Sequence, residues 1–70
     1  MIHKTATVDK KAKISKNVII GPYSIIGPDV QIGEGVEIQS HVNISGCTAI
    51  GNNTKIFSFA SIGTDPQDLK

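Results

Sequence analysis

The sequence predicts an all-β fold, a solenoid of parallel strands with about four coils. Three observations carry that prediction. An aliphatic residue recurs every six positions, a small or β-branched residue stands two places before it, and turn chemistry follows it. Ile2, Val8, Ile14, Ile20, Ile26, Ile32, Ile38, Ile44, Ile50, Ile56 and Ile62 keep the aliphatic register without a gap. Ala6, Ala12, Val18, Ser24, Val30, Val36, Val42, Thr48, Thr54 and Ala60 form the second series. Side chains two apart on a strand share a face, so both series point inward. Gly21, Gly27, Gly33, Gly51 and Gly63 come just after an aliphatic, where glycine is expected to supply backbone freedom for a tight corner. Gly27-Pro28-Asp29, Gly33-Glu34-Gly35 and Gly51-Asn52-Asn53 are turn-forming runs. Each hexad is therefore a short strand plus a corner, and strands this short bury a face only by stacking on neighbouring coils.

Composition agrees and narrows the function. Isoleucine and valine dominate, Leu69 is the single leucine, and tryptophan is absent, which favours strands over helices. The formal net charge is +1, and the basic residues are all lysines, so nucleic acid is not expected as the main partner. The lone Cys47 excludes an internal disulfide framework. No apolar run approaches the roughly 20 residues of a membrane span. The N-terminus has no signal-peptide core. A soluble, cytoplasmic chain is expected.

Hexapeptide-repeat proteins, which this pattern resembles, wind three hexads per coil into a triangular prism. They wind left-handed, against the usual crossover rule. The left-handed parallel β-helix is thus implied by resemblance; no single residue dictates the hand. At eighteen residues per coil the inward positions stack as Ile2/Ile20/Ile38/Ile56, Val8/Ile26/Ile44/Ile62 and Ile14/Ile32/Ile50. These ladders are the expected core.

The outward columns differ among the faces. One reads Thr5/Tyr23/His41/Phe59, with Ile25 outward beside it. An exposed aromatic stripe marks a contact surface, so Tyr23, Ile25, His41 and Phe59 are the candidate subunit interface. The competing explanation is ring stacking for local stability. A second face carries Asn17/Gly35/Asn53 with Ile19/Glu37/Lys55 alongside, where Glu37 and Lys55 are expected as a minor surface pair. The third carries Lys11/Asp29/Cys47, with Cys47 a bystander. Five lysines fall in the first sixteen residues. Lys4, Lys10 and Lys16 are six apart and belong to three different faces, which argues for solvated exterior rather than a basic patch.

The pattern covers residues 1–63 and then fails. Asp68 occupies the next inward position, and Thr64-Asp65-Pro66-Gln67-Asp68-Leu69-Lys70 is expected as a loop leaving the prism. Breaks in a consistent pattern are where function is expected. Nothing after Ile62 has the character of the polar cap a solenoid requires. The expectation is an N-terminal part of a longer protein, or a piece that must assemble to persist.

Several segments resemble the UDP-N-acetylglucosamine acyltransferase family of lipid A biosynthesis: Ile20-Gly21-Pro22-Tyr23, Ile32-Gly33-Glu34-Gly35, Ser40-His41-Val42, and above all Phe59-Ala60-Ser61-Ile62-Gly63 followed by Pro66-Gln67-Asp68-Leu69-Lys70. The resemblance covers this chain but only the opening quarter or so of the family's length. It implies a homotrimer with active sites in grooves between subunits. A 3-hydroxyacyl chain would pass from acyl carrier protein to the 3-hydroxyl of UDP-N-acetylglucosamine, with a histidine as general base and no acyl-enzyme. It also implies that Gln67, Asp68, Leu69 and Lys70 contact the sugar nucleotide, by hydrogen bonds from or to Gln67, Asp68 and Lys70 and by a groove wall at Leu69. The family's catalytic histidine and its C-terminal helical domain lie beyond residue 70. No catalytic residue, metal or cofactor is therefore expected in this chain, and the chain alone is expected to be inactive. A non-catalytic solenoid remnant or self-association module is the alternative. A metal enzyme of the γ-carbonic anhydrase type is disfavoured, since His3 and His41 supply too few ligands.

Overall fold

A computed structural model describes residues 1–63; the expected loop 64–70 lies outside the described residues. The hexads become ten short strands: β1 (Thr7–Val8), β2 (Lys13–Ile14), β3 (Ile19–Ile20), β4 (Ile25–Ile26), β5 (Val30–Ile32), β6 (Glu37–Ile38), β7 (Asn43–Ile44), β8 (Thr48–Ile50), β9 (Lys55–Ile56) and β10 (Ser61–Ile62). They form three parallel sheets. The first is β1-β4-β7-β10, the second β2-β5-β8, the third β3-β6-β9. An Ile2–Ile20 bridge extends the third sheet by one layer. The register is the eighteen-residue one throughout: Val8 pairs with Ile26, Ile26 with Ile44, and Ile44 with Ile62. Lys13–Gln31 and Glu37–Lys55 follow the same offset on the other sheets. The chain is a left-handed parallel β-helix. Four layers are complete only on the first sheet, so the described residues make between three and four coils.

Both inward series are where the periodicity puts them, with one correction: Ile2, expected inward, is 46% exposed, because no coil stacks beneath it. Val18, Ile20, Ile26, Val30, Ile32, Val36, Ile38, Val42, Ile44 and Ile56 are buried, and Val8, Ile14, Ile50 and Ile62 pack against them. The one buried polar residue among the described residues, Ser24, is satisfied. Its hydroxyl donates to the Gln39 carbonyl at 2.7 Å and accepts from the Val42 amide at 3.1 Å. An unpaired hydroxyl there would cost about 1–3 kcal/mol.

The glycine expectation needs correction. Of the five glycines after an aliphatic, only Gly63 has a positive φ; Gly21, Gly27, Gly33 and Gly51 do not. Space is the reason at Gly21, where a Cβ would lie 2.7 Å from the Gln39 carbonyl of the next coil. The left-handed conformation falls two residues further along, at Asn17, Gly35 and Asn53 on one corner and at Tyr23, His41 and Phe59 on another.

Candidate functional site

The corner between the third and first sheets carries the candidate interface. Its base is Thr5, whose Oγ1 accepts from the Tyr23 amide at 3.1 Å and lies 2.8 Å from His3 Nδ1. Above it the rings of Tyr23 and His41 have centroids 5.2 Å apart, tilted by 31°. Those of His41 and Phe59 lie 5.1 Å apart at 19°. These separations match the coil spacing of about 4.8 Å, so the solenoid itself sets the stack. The corner backbone is tied coil to coil, with the His41 amide donating to the Pro22 carbonyl at 3.0 Å and the Phe59 amide to Ser40 at 3.2 Å.

Stacking does not hide these rings. Tyr23 is 60% exposed and Phe59 77%, and His41 is exposed as well. Ile25 stands outward on the first-sheet side and Phe57 outward on the third-sheet side. Tyr23, Ile25, His41 and Phe59 therefore share one edge, as the sequence places them. Their backbone is also costly. Tyr23, His41 and Phe59 have φ of 61°, 58° and 67°. That region is uncommon for any residue with a side chain, less so for Asn and His, and anomalous for bulky rings.

Two features of this edge escaped sequence reasoning. Phe57 extends the apolar strip, and its signal was available: it sits just after Ile56, where the repeat otherwise favours glycine or a small polar residue. Behind the corner, Ser40 and Ser58 hydroxyls lie 3.1 Å apart, and Gln39 Oε1 accepts from the Ser58 amide at 3.2 Å and its hydroxyl at 3.3 Å. This net braces the corner, and nothing in the hexad period announces it.

The second sheet is different. It presents Lys11, Lys13, Asp29, Gln31, Cys47 and Ala49 around a shallow depression of about 410 Å³. Among the described residues no large exposed apolar side chain projects from it. Cys47 is a free, exposed thiol. Lys10, Lys11, Lys13 and Lys16 all border the first coil of this face, although Lys4, Lys10 and Lys16 mark three different corners. Among the described residues the one ion pair is Lys55–Glu37, at 3.9 Å between half-exposed side chains on the third sheet.

Gln67, Asp68, Leu69 and Lys70 lie outside the described residues. Among the described residues no group of three or more His, Cys, Asp or Glu side chains is placed to hold a metal. No described helix is long and apolar enough to cross a membrane.

The bacterial transferase hexapeptide (six repeats) family matches residues 11–46, half of the chain. An acyl-[acyl-carrier-protein]–UDP-N-acetylglucosamine O-acyltransferase of Helicobacter pylori is 68% identical over 25 residues, 36% of this chain and 9% of its own. LpxA from Acinetobacter baumannii superposes with a TM-score of 0.92 at 54% identity, covering 97% of this chain and 26% of its own. The UDP-N-acetylglucosamine acyltransferase of Francisella novicida gives 0.93 at 50% identity, over 100% and 25% respectively. The chain thus spans about a quarter of these solved relatives.

Proposed function

Because the chain belongs to the bacterial transferase hexapeptide family, we propose that it forms the opening coils of an acyltransferase that acts on UDP-N-acetylglucosamine. The observation that supports this most is the 54% identity to a solved LpxA across 97% of the chain. A hexapeptide prism alone serves many chemistries, whereas identity at that level extends to the turns and outward residues. The reaction is transfer of a 3-hydroxyacyl group from the thioester of acyl carrier protein to the sugar 3-hydroxyl. The sugar oxygen bonds to the acyl carbon, the C–S bond breaks, and the carrier thiol leaves. A general base takes the hydroxyl proton, which makes the oxygen nucleophilic.

The described residues supply scaffold and contact surface rather than that base. His41 is held in the aromatic stack and His3 beside Thr5. Sugar-nucleotide contacts fall to Gln67, Asp68, Leu69 and Lys70. The Asp68 carboxylate accepts hydrogen bonds from sugar hydroxyls, while Gln67 and Lys70 donate. A homotrimer, with the aromatic edge facing neighbouring copies, and a cytoplasmic location go with this assignment. Replacing Asp68 in the active enzyme tests it. Asp68→Ala should raise KM for UDP-N-acetylglucosamine about tenfold or more, the equivalent of one lost charge-assisted hydrogen bond, with a smaller change in kcat. Unchanged kinetics would remove Asp68 from the site.

A further inference from the structure

We infer that the N-terminal end of the prism is a docking surface for an anionic lipid bilayer, built from a collar of lysines around the first coil. The inference rests on the homotrimer proposed above, because cyclic closure points the collars of all copies the same way.

Charge selects the end. Residues 1–18 hold five lysines and one acid, Asp9, whereas residues 19–63 hold one lysine and three acids. Lys4, Lys10, Lys11, Lys13 and Lys16 are all exposed. Among the described residues none of the five takes part in an ion pair. Asp9 caps its own turn, its carboxylate accepting from the Lys11 amide at 2.9 Å.

Placement turns these charges into a ring. Lys4, the Lys10–Lys11 pair and Lys16 occupy the three corner turns of the first coil, and Lys13 stands on β2 between two of them. Along any one face the lysines are dispersed; down the prism axis they encircle the end. The corner positions of the later coils carry no lysine, and their charged residues are the acids Asp29 and Glu34. The hexad period accepts any polar residue at a corner, so it does not explain why lysine is confined to one coil. The same end is open. Strands β1 and β2 are outermost in their sheets, Ile2 bridges only to Ile20, and Met1 and Ile2 are exposed there.

Shape selects the partner. In a cyclic trimer five lysines from each copy share one end of the assembly. A flat anionic surface meets all of them together, and each lysine near such a surface strengthens binding by roughly fivefold. A small acidic protein meets one collar. Met1 and Ile2 add apolar contact at the headgroup level, the second attraction that interfacial binding draws on. Lysines on an open sheet edge also keep ends from pairing with one another, and that role alone predicts no affinity for lipid.

The test is cosedimentation of the full chain with vesicles of phosphatidylcholine alone and of equimolar phosphatidylglycerol and phosphatidylcholine. Binding to the mixed vesicles only, weakening as salt rises, is expected. The triple variant Lys4→Gln, Lys10→Gln, Lys16→Gln, one neutralisation per corner, should bind about tenfold more weakly or worse. Lys55→Gln removes one such charge from β9, the outermost strand at the other end of the third sheet, and should bind as the parent does. Light scattering without vesicles reads the oligomer of each protein. A trimer that ignores the mixed vesicles overturns the inference and leaves the homotrimer standing. So does a trimer that captures soluble polyglutamate but no vesicle, or binding that the triple variant retains in full. A chain that stays monomeric overturns both.

Discussion

Two corners of this prism share a backbone conformation and almost nothing else. At one, Asn17, Gly35 and Asn53 take φ of 59°, 73° and 61°. At the other, Tyr23, His41 and Phe59 take 61°, 58° and 67°. Asparagine and glycine are residues that enter this region with least strain. The first corner is thus explained by its own backbone. The second is not, since tyrosine and phenylalanine worsen the local energy there. Their side chains are kept for what they touch, first each other and, in the proposal above, a second copy. Equal geometry with unequal chemistry separates a structural corner from a contact corner.

The largest effect expected from this comparison is at the first corner. A β-branched residue at Gly35 would have to hold φ near 73° and displace the Asn53 carboxamide, which its Cβ would strike. Gly35→Val should cost about 2 kcal/mol, from the left-handed penalty. Gly35→Asn should cost less than about 1 kcal/mol, because Asn17 and Asn53 already occupy the same column in the same conformation. Urea midpoints of the two variants decide this. Equal losses would mean that space, rather than φ, controls the corner.

A smaller and less uniform response is expected at the aromatic corner. His41 touches rings on both sides, whereas Phe59 touches one. An aromatic contact is worth about 0.5–1.5 kcal/mol, and a bulky ring at positive φ costs about 1–2 kcal/mol. Phe59→Asn loses one contact and relieves strain, so the chain measured below its assembly concentration should change by less than about 1 kcal/mol. His41→Asn loses two contacts and gains little relief, since histidine tolerates this conformation better than phenylalanine. It should destabilise by about 1–2 kcal/mol. The reverse order would show that the rings do not stabilise one another and exist for the partner alone.

How far the sequence discloses all this depends on what enforces each feature. The ladders were legible because one hydrophobic period and one eighteen-residue stack dictate every inward side chain from Val8 to Ile62. The aromatic stripe was legible by the same count. Its strain was not, because φ at residue i+3 of a hexad depends on how the corner closes, and glycine placement pointed elsewhere. Gly21 is needed to let the Gln39 carbonyl pass, a contact between residues eighteen apart that local turn chemistry does not contain. The Gln39–Ser40–Ser58 net was hidden for a related reason. It joins polar residues whose identities vary along the column, with Lys4 and Pro22 below them. Gln67, Asp68, Leu69 and Lys70 were assigned by likeness to a family, which the hexad period neither supports nor opposes.

The smallest effect concerns where the contact edge stops. Glu37 and Lys55 pair at 3.9 Å on the third sheet with side chains 44% and 53% exposed. Such a pair is worth from nothing to about 1 kcal/mol, so Lys55→Gln should move the urea midpoint barely or not at all. Its value lies in the assembly. Lys55 and Phe57 are two residues apart on the same outward face. If the contact edge ends at Phe57, Lys55 stays in solvent, and the variant should assemble with the affinity and salt dependence of the parent. If the third sheet is covered as far as Lys55, removing one partner of the pair leaves the Glu37 carboxylate desolvated and alone, and assembly weakens measurably. Light scattering across a salt series distinguishes the two, and a weakened trimer would widen the contact from an edge to a face.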